Sequence, residues 1–298
     1  MLCDQEIAVA NFHVSVKSVS RRTKRSAVAA AAYRAGRDLR DLRTNVVHRY
    51  RSRSPRVAHS AIFAPTDAPA WAYDRAALWN AAEARETRAD AKTAREFEIS
   101  LPCELDDQQH RSLTDQFARF LVARYGVACD VAIHRPDRGN DNRNHHAHLL
   151  TTTRSIGESG LGAKTRILDS PRTSSAEIEL IRAEWAALSN KALAQASTLA
   201  RVDHRSHARR RLVVRPTLYQ GPAVSALARL GVATGRYTEN ATIRAHNARI
   251  DALRAVLRAA AAAPPTPAPL PVRLTVPGLP LTRPSVRLTR PPVRPATA

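Results

Sequence analysis

Between Val127 and Ile156 two apolar-rich segments, Val127–His134 and His146–Ile156, flank an eleven-residue polar gap rich in Pro, Asp, Gly and Asn. That pattern predicts a β-hairpin. Side chains alternate across a strand, so His146 and His148 of His146-Ala147-His148 share one face. Folding the hairpin carries His134 toward them. Three neutral imidazoles brought together can hold one divalent cation and leave positions open for water or a substrate oxygen. His145 points to the opposite face and is expected as a bystander or a substrate contact. His13, His48, His59, His110, His204, His207 and His246 carry no such pattern and are expected as surface or hydrogen-bonded groups.

The rest of the chain predicts what surrounds the hairpin. Alternating Phe12, Val14 and Val16 give a first strand within residues 7–17. A basic turn, Ser20 to Arg25, follows, and Ser26 caps an alanine-rich helix, Ala27–Arg37, that carries Tyr33. A helix is expected over residues 69–86, and a strand over Glu96–Leu101 that Pro102 closes. Asp106 caps an amphipathic helix with Leu113, Phe117, Phe120, Leu121 and Tyr125 on its apolar stripe and Gly126 as its stop. After the hairpin, Gly157, Gly160 and Gly162 break the chain, and Glu177–Thr198 reads as a helix. This order lacks the steady alternation of a doubly wound sheet. The expected fold is α+β, an antiparallel sheet flanked by helices. Residues 1–222 are expected as the main domain, 223–263 as a helical extension, and 264–298, rich in Pro and Arg without an acid, as a disordered basic tail.

Charge limits the partners. The formal net charge is +21, which calls for a polyanion. From Lys17 to Arg56 there are thirteen Lys/Arg against only Asp38 and Asp41. That asymmetry predicts a nucleic-acid surface made by Lys17, Arg21, Arg22, Lys24, Arg25, Arg34 and Arg37, with Lys164 and Arg166 as further phosphate donors. Aromatic residues are 5% of the chain, so phosphate contacts are expected to outweigh base stacking. Cys3, Cys103 and Cys129 lack disulfide or metal spacing, which fits a reducing cytoplasm. No apolar run approaches about 18 residues and no secretory signal is visible, so no membrane span is expected.

Several separated motifs then occur in one order. They are His13-Val14-Ser15-Val16-Lys17, Arg25-Ser26-Ala27 through Tyr33-Arg34-Ala35-Gly36, Ala94-Arg95-Glu96-Phe97-Glu98 with Leu101-Pro102, the histidine set, Gly160-Leu161-Gly162-Ala163-Lys164-Thr165, and Val202-Asp203-His204-Arg205-Ser206. Over roughly residues 10–225 the chain resembles the plasmid-mobilisation relaxases of the MobA/MobL type, within the His-hydrophobe-His nickase superfamily. The resemblance implies a relaxase-like palm and a DNA strand transferase. In that family a tyrosine near the N-terminus, here Tyr33, attacks a phosphodiester at a transfer origin and becomes linked to the 5′ phosphate. It further implies Mg²⁺ or Mn²⁺ on His134, His146 and His148, with acidic residues near the site at Glu96, Glu98 and Glu104. An ordinary phenol keeps its proton at neutral pH. A cation on the phosphate and dense arginines are therefore the help such a nucleophile needs. Tyr50 is the rival nucleophile. The implied partners are single-stranded or locally melted DNA at a transfer origin, relaxosome accessory proteins and a type IV secretion coupling protein. No helicase or primase module is expected after the nickase region, so unwinding is left to another protein. Three other readings use the same residues: a replication initiator of the superfamily, a noncatalytic basic DNA-binding regulator, and a metal hydrolase using water. Placing the tyrosine before the histidines disfavours the first, and the presence of every expected catalytic residue disfavours the second.

Overall fold

A computed structural model describes residues 10–136 and 143–262. The predicted tail, the first seven residues and the middle of the hairpin loop lie outside the described residues. The sheet is five-stranded and antiparallel in the order β1-β5-β7-β6-β4. Its strands are β1 Val14–Ser20, β4 Val57–Phe63, β5 Lys92–Ser100, β6 Cys129–His134 and β7 His146–Thr152. The fold is therefore α+β, an antiparallel sheet flanked by helices. The hairpin of β6 and β7 forms as the alternation demands, but β7 ends at Thr152. Arg154–Gly157 (β8) turns away to pair with Gly160–Lys164 (β9), so the predicted strand to Ile156 is two strands. A further two-stranded pair, β2 Leu39–Asp41 and β3 Val46–His48, interrupts the basic segment.

Strand parity sorts the core into two layers. Phe97, Ile99, Val131, Ile133, Ala147 and Leu149 face α3 (Asp107–Tyr125) and α4 (Ser174–Gln195), where Leu113, Phe117, Leu121, Ile181 and Trp185 meet them. Burying one such side chain stabilises the fold by about 1.5–3 kcal/mol. On α3 the Asp106 carboxylate accepts from the Gln109 N–H at 2.7 Å and the Gln109 amide oxygen accepts from the Asp106 N–H at 2.9 Å. This capping box starts the helix, and Gly126 at φ +63° stops it. The opposite face, with Val19, Ala94 and Leu150, packs against α1 (Ala27–Ala35) and α2 (Arg75–Ala84) through Val28, Ala31, Leu78 and Trp79. The alanines of α1 let it lie close to the sheet.

The start of α1 is held tightly. The Ser26 hydroxyl accepts from the Ala29 N–H and donates to Asp41 at 2.7 Å, and the Glu83 carboxylate accepts the Ala27 N–H at 2.7 Å. Glu83 in turn takes the Arg21 guanidinium at 3.0 Å. Fixing this end aims the other end of α1, with Tyr33 and Arg34, at the open end of the sheet.

The chain divides into two compact units, the second starting at Arg211. Within that unit α5 spans Gly221–Arg229 and α6 spans Gly235–Ala262. Asn240 and Asn247, two turns apart on α6, each donate to and accept from the backbone of one residue, Leu218 and Arg215 respectively, at 2.7–2.8 Å. Among the described residues no helix is long and apolar enough to cross a membrane.

Candidate metal centre

Register brings the three histidines together. His134, the last residue of β6, lies directly opposite His146, the first of β7. His148 lies opposite Ala132 on one side and Glu98 on the other. All three rings stand on the α1 side of the sheet, with centroids 4.9–5.3 Å apart. One ligand atom from each lies within 4.8 Å of the other two, close enough for one ion.

Each ring is oriented by an oxygen outside the cluster. His134 Nε2 lies 2.7 Å from the Arg34 carbonyl, His146 Nδ1 3.0 Å from the Asn144 carbonyl, and His148 Nδ1 2.8 Å from Glu96 Oε1. Carbonyl and carboxylate oxygens only accept, so these nitrogens are the donors, and a metal would take the opposite nitrogen of each ring. The acceptor lone pairs then belong to His134 Nδ1, His146 Nε2 and His148 Nε2. This is the outer arrangement that fixes tautomer and ring direction at imidazole-metal sites. Burial above all pushes the His134 pKa down to about 4, and the charges of His148, His146 and Arg53 act in the same direction. The ring is neutral at pH 7, as a ligand must be.

Arg34 links two members of the triad. Its carbonyl takes His134, and its guanidinium pairs with Glu96, which takes His148. Burial alone would raise the Glu96 pKa. The hydrogen bond from His148 and the Arg34 charge overcome that and hold it at about 2, so the carboxylate stays ionised. Arg34 is buried and also donates to the Ala30 carbonyl at 2.9 Å, so it is part of the frame rather than a DNA contact.

Tyr33, the residue before Arg34, is 39% exposed. The Arg53 guanidinium lies 3.9 Å above its ring centroid, and the Tyr50 ring meets it edge-on at 5.2 Å. Arg53 comes from a short 3-10 turn, Arg51–Arg56, that lies against Gly36. A Cβ at Gly36 would stand 2.8 Å from Ser54 backbone atoms, and its φ is +58°. Glycine at this position lets the turn carry Arg53 over Tyr33. Sequence reasoning passed over Arg53 because it is one of many arginines in a basic run.

The other predicted residues divide. Glu96 touches the triad directly. Glu98 lies on the same face opposite His148, but it bonds Lys17 at 2.6 Å. Glu104 is exposed in the turn beyond the end of β5, away from the strand that carries Glu96 and Glu98. Arg21 is spent on Glu83 and on the carbonyls of Glu83, Glu86 and Arg88. Lys164 bonds Glu86 at 2.9 Å and the Lys92 carbonyl at 3.1 Å. Arg22, Lys24, Arg25, Arg37 and Arg166 are exposed. Arg21, Arg34 and Lys164 pair with the buried carboxylates of Glu83, Glu96 and Glu86, whereas Lys17, itself exposed, pairs with the half-buried Glu98.

The MobA/MobL family model matches residues 25–229. The chain is 40% identical over 247 residues to "Mobilization protein MobL" of Acidithiobacillus ferridurans, an alignment covering 74% of this chain and 64% of that protein. It is 29% identical over 285 residues to "Probable mobilization protein MobA" of Bifidobacterium longum, covering 83% of this chain and 49% of the relative. The chain thus spans about half of one relative's length and just under two thirds of the other's. Among solved structures, one described as the molecular basis of vancomycin resistance transfer in Staphylococcus aureus superposes with a TM-score of 0.58 at 28% identity, covering 66% of this chain and 100% of that one. The matched segment contains α1 with Tyr33, the β6–β7 hairpin with its three histidines, and Glu96 between them, and the chain belongs to the MobA/MobL family.

Proposed function

We propose that this chain is a DNA relaxase that nicks one strand at a plasmid transfer origin and later rejoins it. In this reading Tyr33 Oη attacks the scissile phosphorus. The tyrosyl O–P bond forms, the P–O3′ bond breaks, the phenolic proton is released, and the departing 3′ oxygen takes up a proton to leave a 3′ hydroxyl. The 5′-phosphotyrosyl link conserves the phosphodiester energy, so attack by a 3′ hydroxyl reverses the step. A Mg²⁺ or Mn²⁺ ion on His134, His146 and His148 would neutralise charge on the nonbridging phosphate oxygens. Arg34 and Glu96 hold the rings in place, and Arg53 holds the Tyr33 ring and adds positive charge beside the site.

The carrying observation is the Arg34 link. The residue that follows the proposed nucleophile supports two of the three metal ligands, so nucleophile and metal centre are built as one piece. The proposed partner is single-stranded or locally melted origin DNA, held by phosphate contacts from the exposed Arg22, Lys24, Arg25, Arg37 and Arg166. Accessory relaxosome proteins and a type IV coupling protein complete the proposed setting, in a bacterial cytoplasm. Residues 1–222 would carry the chemistry.

The test incubates the chain with Mg²⁺ or Mn²⁺ and single-stranded oligonucleotides tiled across its plasmid's origin, then looks for a protein–DNA adduct on a denaturing gel. An adduct absent from Tyr33→Phe and strongly reduced in His146→Ala is the expected result. Free ends that persist in Tyr33→Phe would mean hydrolysis by water. Binding without cleavage would mean a regulator.

A further inference from the structure

Behind β7, on the side away from the triad, a second group of ligand-type residues converges. Asp107 opens α3, His110 follows one turn later on the same face, and His145 is the residue just before β7. One ligand atom from each lies within 4.8 Å of the other two. The His110 and His145 ring centroids are 4.9 Å apart.

His110 supplies the decisive observation. It is 2% exposed, and its Nε2 lies 2.7 Å from the Pro102 carbonyl, which fixes the N–H on that nitrogen. Nδ1 is therefore the nitrogen left to ligate, and it is buried with no hydrogen-bond partner among the described residues. Leaving a buried polar atom unsatisfied is costly, a cost that a ligand there would relieve. The outer hydrogen bond to Pro102 is also the support that metal-binding imidazoles use. A cavity of about 250 Å³, lined by Asp107 and His110 with His59, Arg111 and Ile133, adjoins the group and has room for water to complete a coordination shell. Asp107 meets Arg135 only across 3.6 Å in an exposed pair, a contact of little worth to displace.

We propose that Asp107, His110 and His145 form a second metal site, distinct from the triad. Two imidazoles and one carboxylate suit Zn²⁺ or a similar transition metal better than Mg²⁺ or Ca²⁺, which favour all-oxygen shells. The ion would tie the start of β7 to the start of α3. Because His145 is joined to His146, and its carbonyl accepts the Leu101 N–H at 2.8 Å, that tie fixes where the first triad ligand on β7 stands.

The test counts Zn²⁺ equivalents bound by the full chain, stripped of metal beforehand, in competition with a chromophoric chelator. Co²⁺ absorption reports the ligand field. Two equivalents are expected for the wild type. Asp107→Asn, His145→Ala and His110→Gln should each weaken one of them at least about tenfold, and His146→Ala should weaken the other. Since His110 is buried, circular dichroism checks that variant. Asp107 sits on an exposed first turn and carries the test without that risk. A single equivalent in the wild type that Asp107→Asn leaves unchanged overturns the second site, as do two equivalents that survive both Asp107→Asn and His145→Ala. Loss of one equivalent in Asp107→Asn with none lost in His146→Ala would support this site and remove the triad instead.

Discussion

Arg34 has the largest share in the geometry of the site without touching a reacting atom. Its carbonyl fixes the His134 ring and its guanidinium fixes Glu96, which fixes His148. Replacing it by methionine keeps the bulk and removes the charge. Glu96 then loses its main buried counter-charge, and His148 loses its orientation. Arg34→Met should weaken divalent-metal binding about 10–100-fold, the cost usual for an outer support, as read by calorimetric titration. Arg34→Ala, with the backbone carbonyl retained, should behave similarly, because the carbonyl survives either change. Wild-type affinity in both variants would show that Glu96 orients His148 unaided. A count of arginines in the sequence could not separate Arg34 from its exposed neighbours. Its different role comes from burial and from a carboxylate that folding brings 62 residues along the chain to meet it.

Among the elements, α1 and the Arg51–Arg56 turn are joined by a space too small for a side chain. Gly36→Ala would place a Cβ against Ser54 backbone at 2.8 Å while holding a positive φ of +58°. The expected loss is about 1–3 kcal/mol of stability, measured by urea unfolding. The turn must also withdraw from Tyr33, so strand nicking should fall more than metal binding. A variant that keeps full nicking would show that Arg53 is dispensable. The Asp106 cap of α3 and the Ser26 cap of α1 were legible in the sequence, because capping is decided within four residues. The approach of the Arg51–Arg56 turn to Gly36 was not, since it joins segments that share no periodicity.

Across the whole molecule, the acids form an internal frame for an excess of cations. Glu83, Glu86, Glu96, Asp130 and Glu177 are buried and each is paired with arginine or lysine. Glu86 joins the end of α2 to the β8–β9 pair through Arg154 at 2.7 Å and Lys164 at 2.9 Å. Burial would raise its pKa, but hydrogen bonds from Lys164 and Arg154 outweigh this and hold it below the ordinary value. The unfolded chain binds that proton more tightly. Glu86 therefore stabilises the fold fully above the usual glutamate range, and its contribution is lost as pH falls through the lowered value. Glu86→Gln should cost about 1–3 kcal/mol at pH 7, and the gap to wild type should narrow on acidification. A gap independent of pH would show that the ionised form is not what matters. With these five acids turned inward, exposed cations such as Arg22, Lys24 and Arg37 are left for the polyanionic partner proposed above. The sequence by itself determined the antiparallel hairpin, the shared face of His146 and His148, the excess of positive charge and the helix caps, because alternation, capping and charge are local properties. Tertiary structure alone decided which cations remain available, that Glu96 supports the triad while Glu98 serves Lys17 and Glu104 stands apart, and that Arg53 covers Tyr33. Those outcomes depend on which distant groups burial forces to satisfy one another, and no local pattern records that.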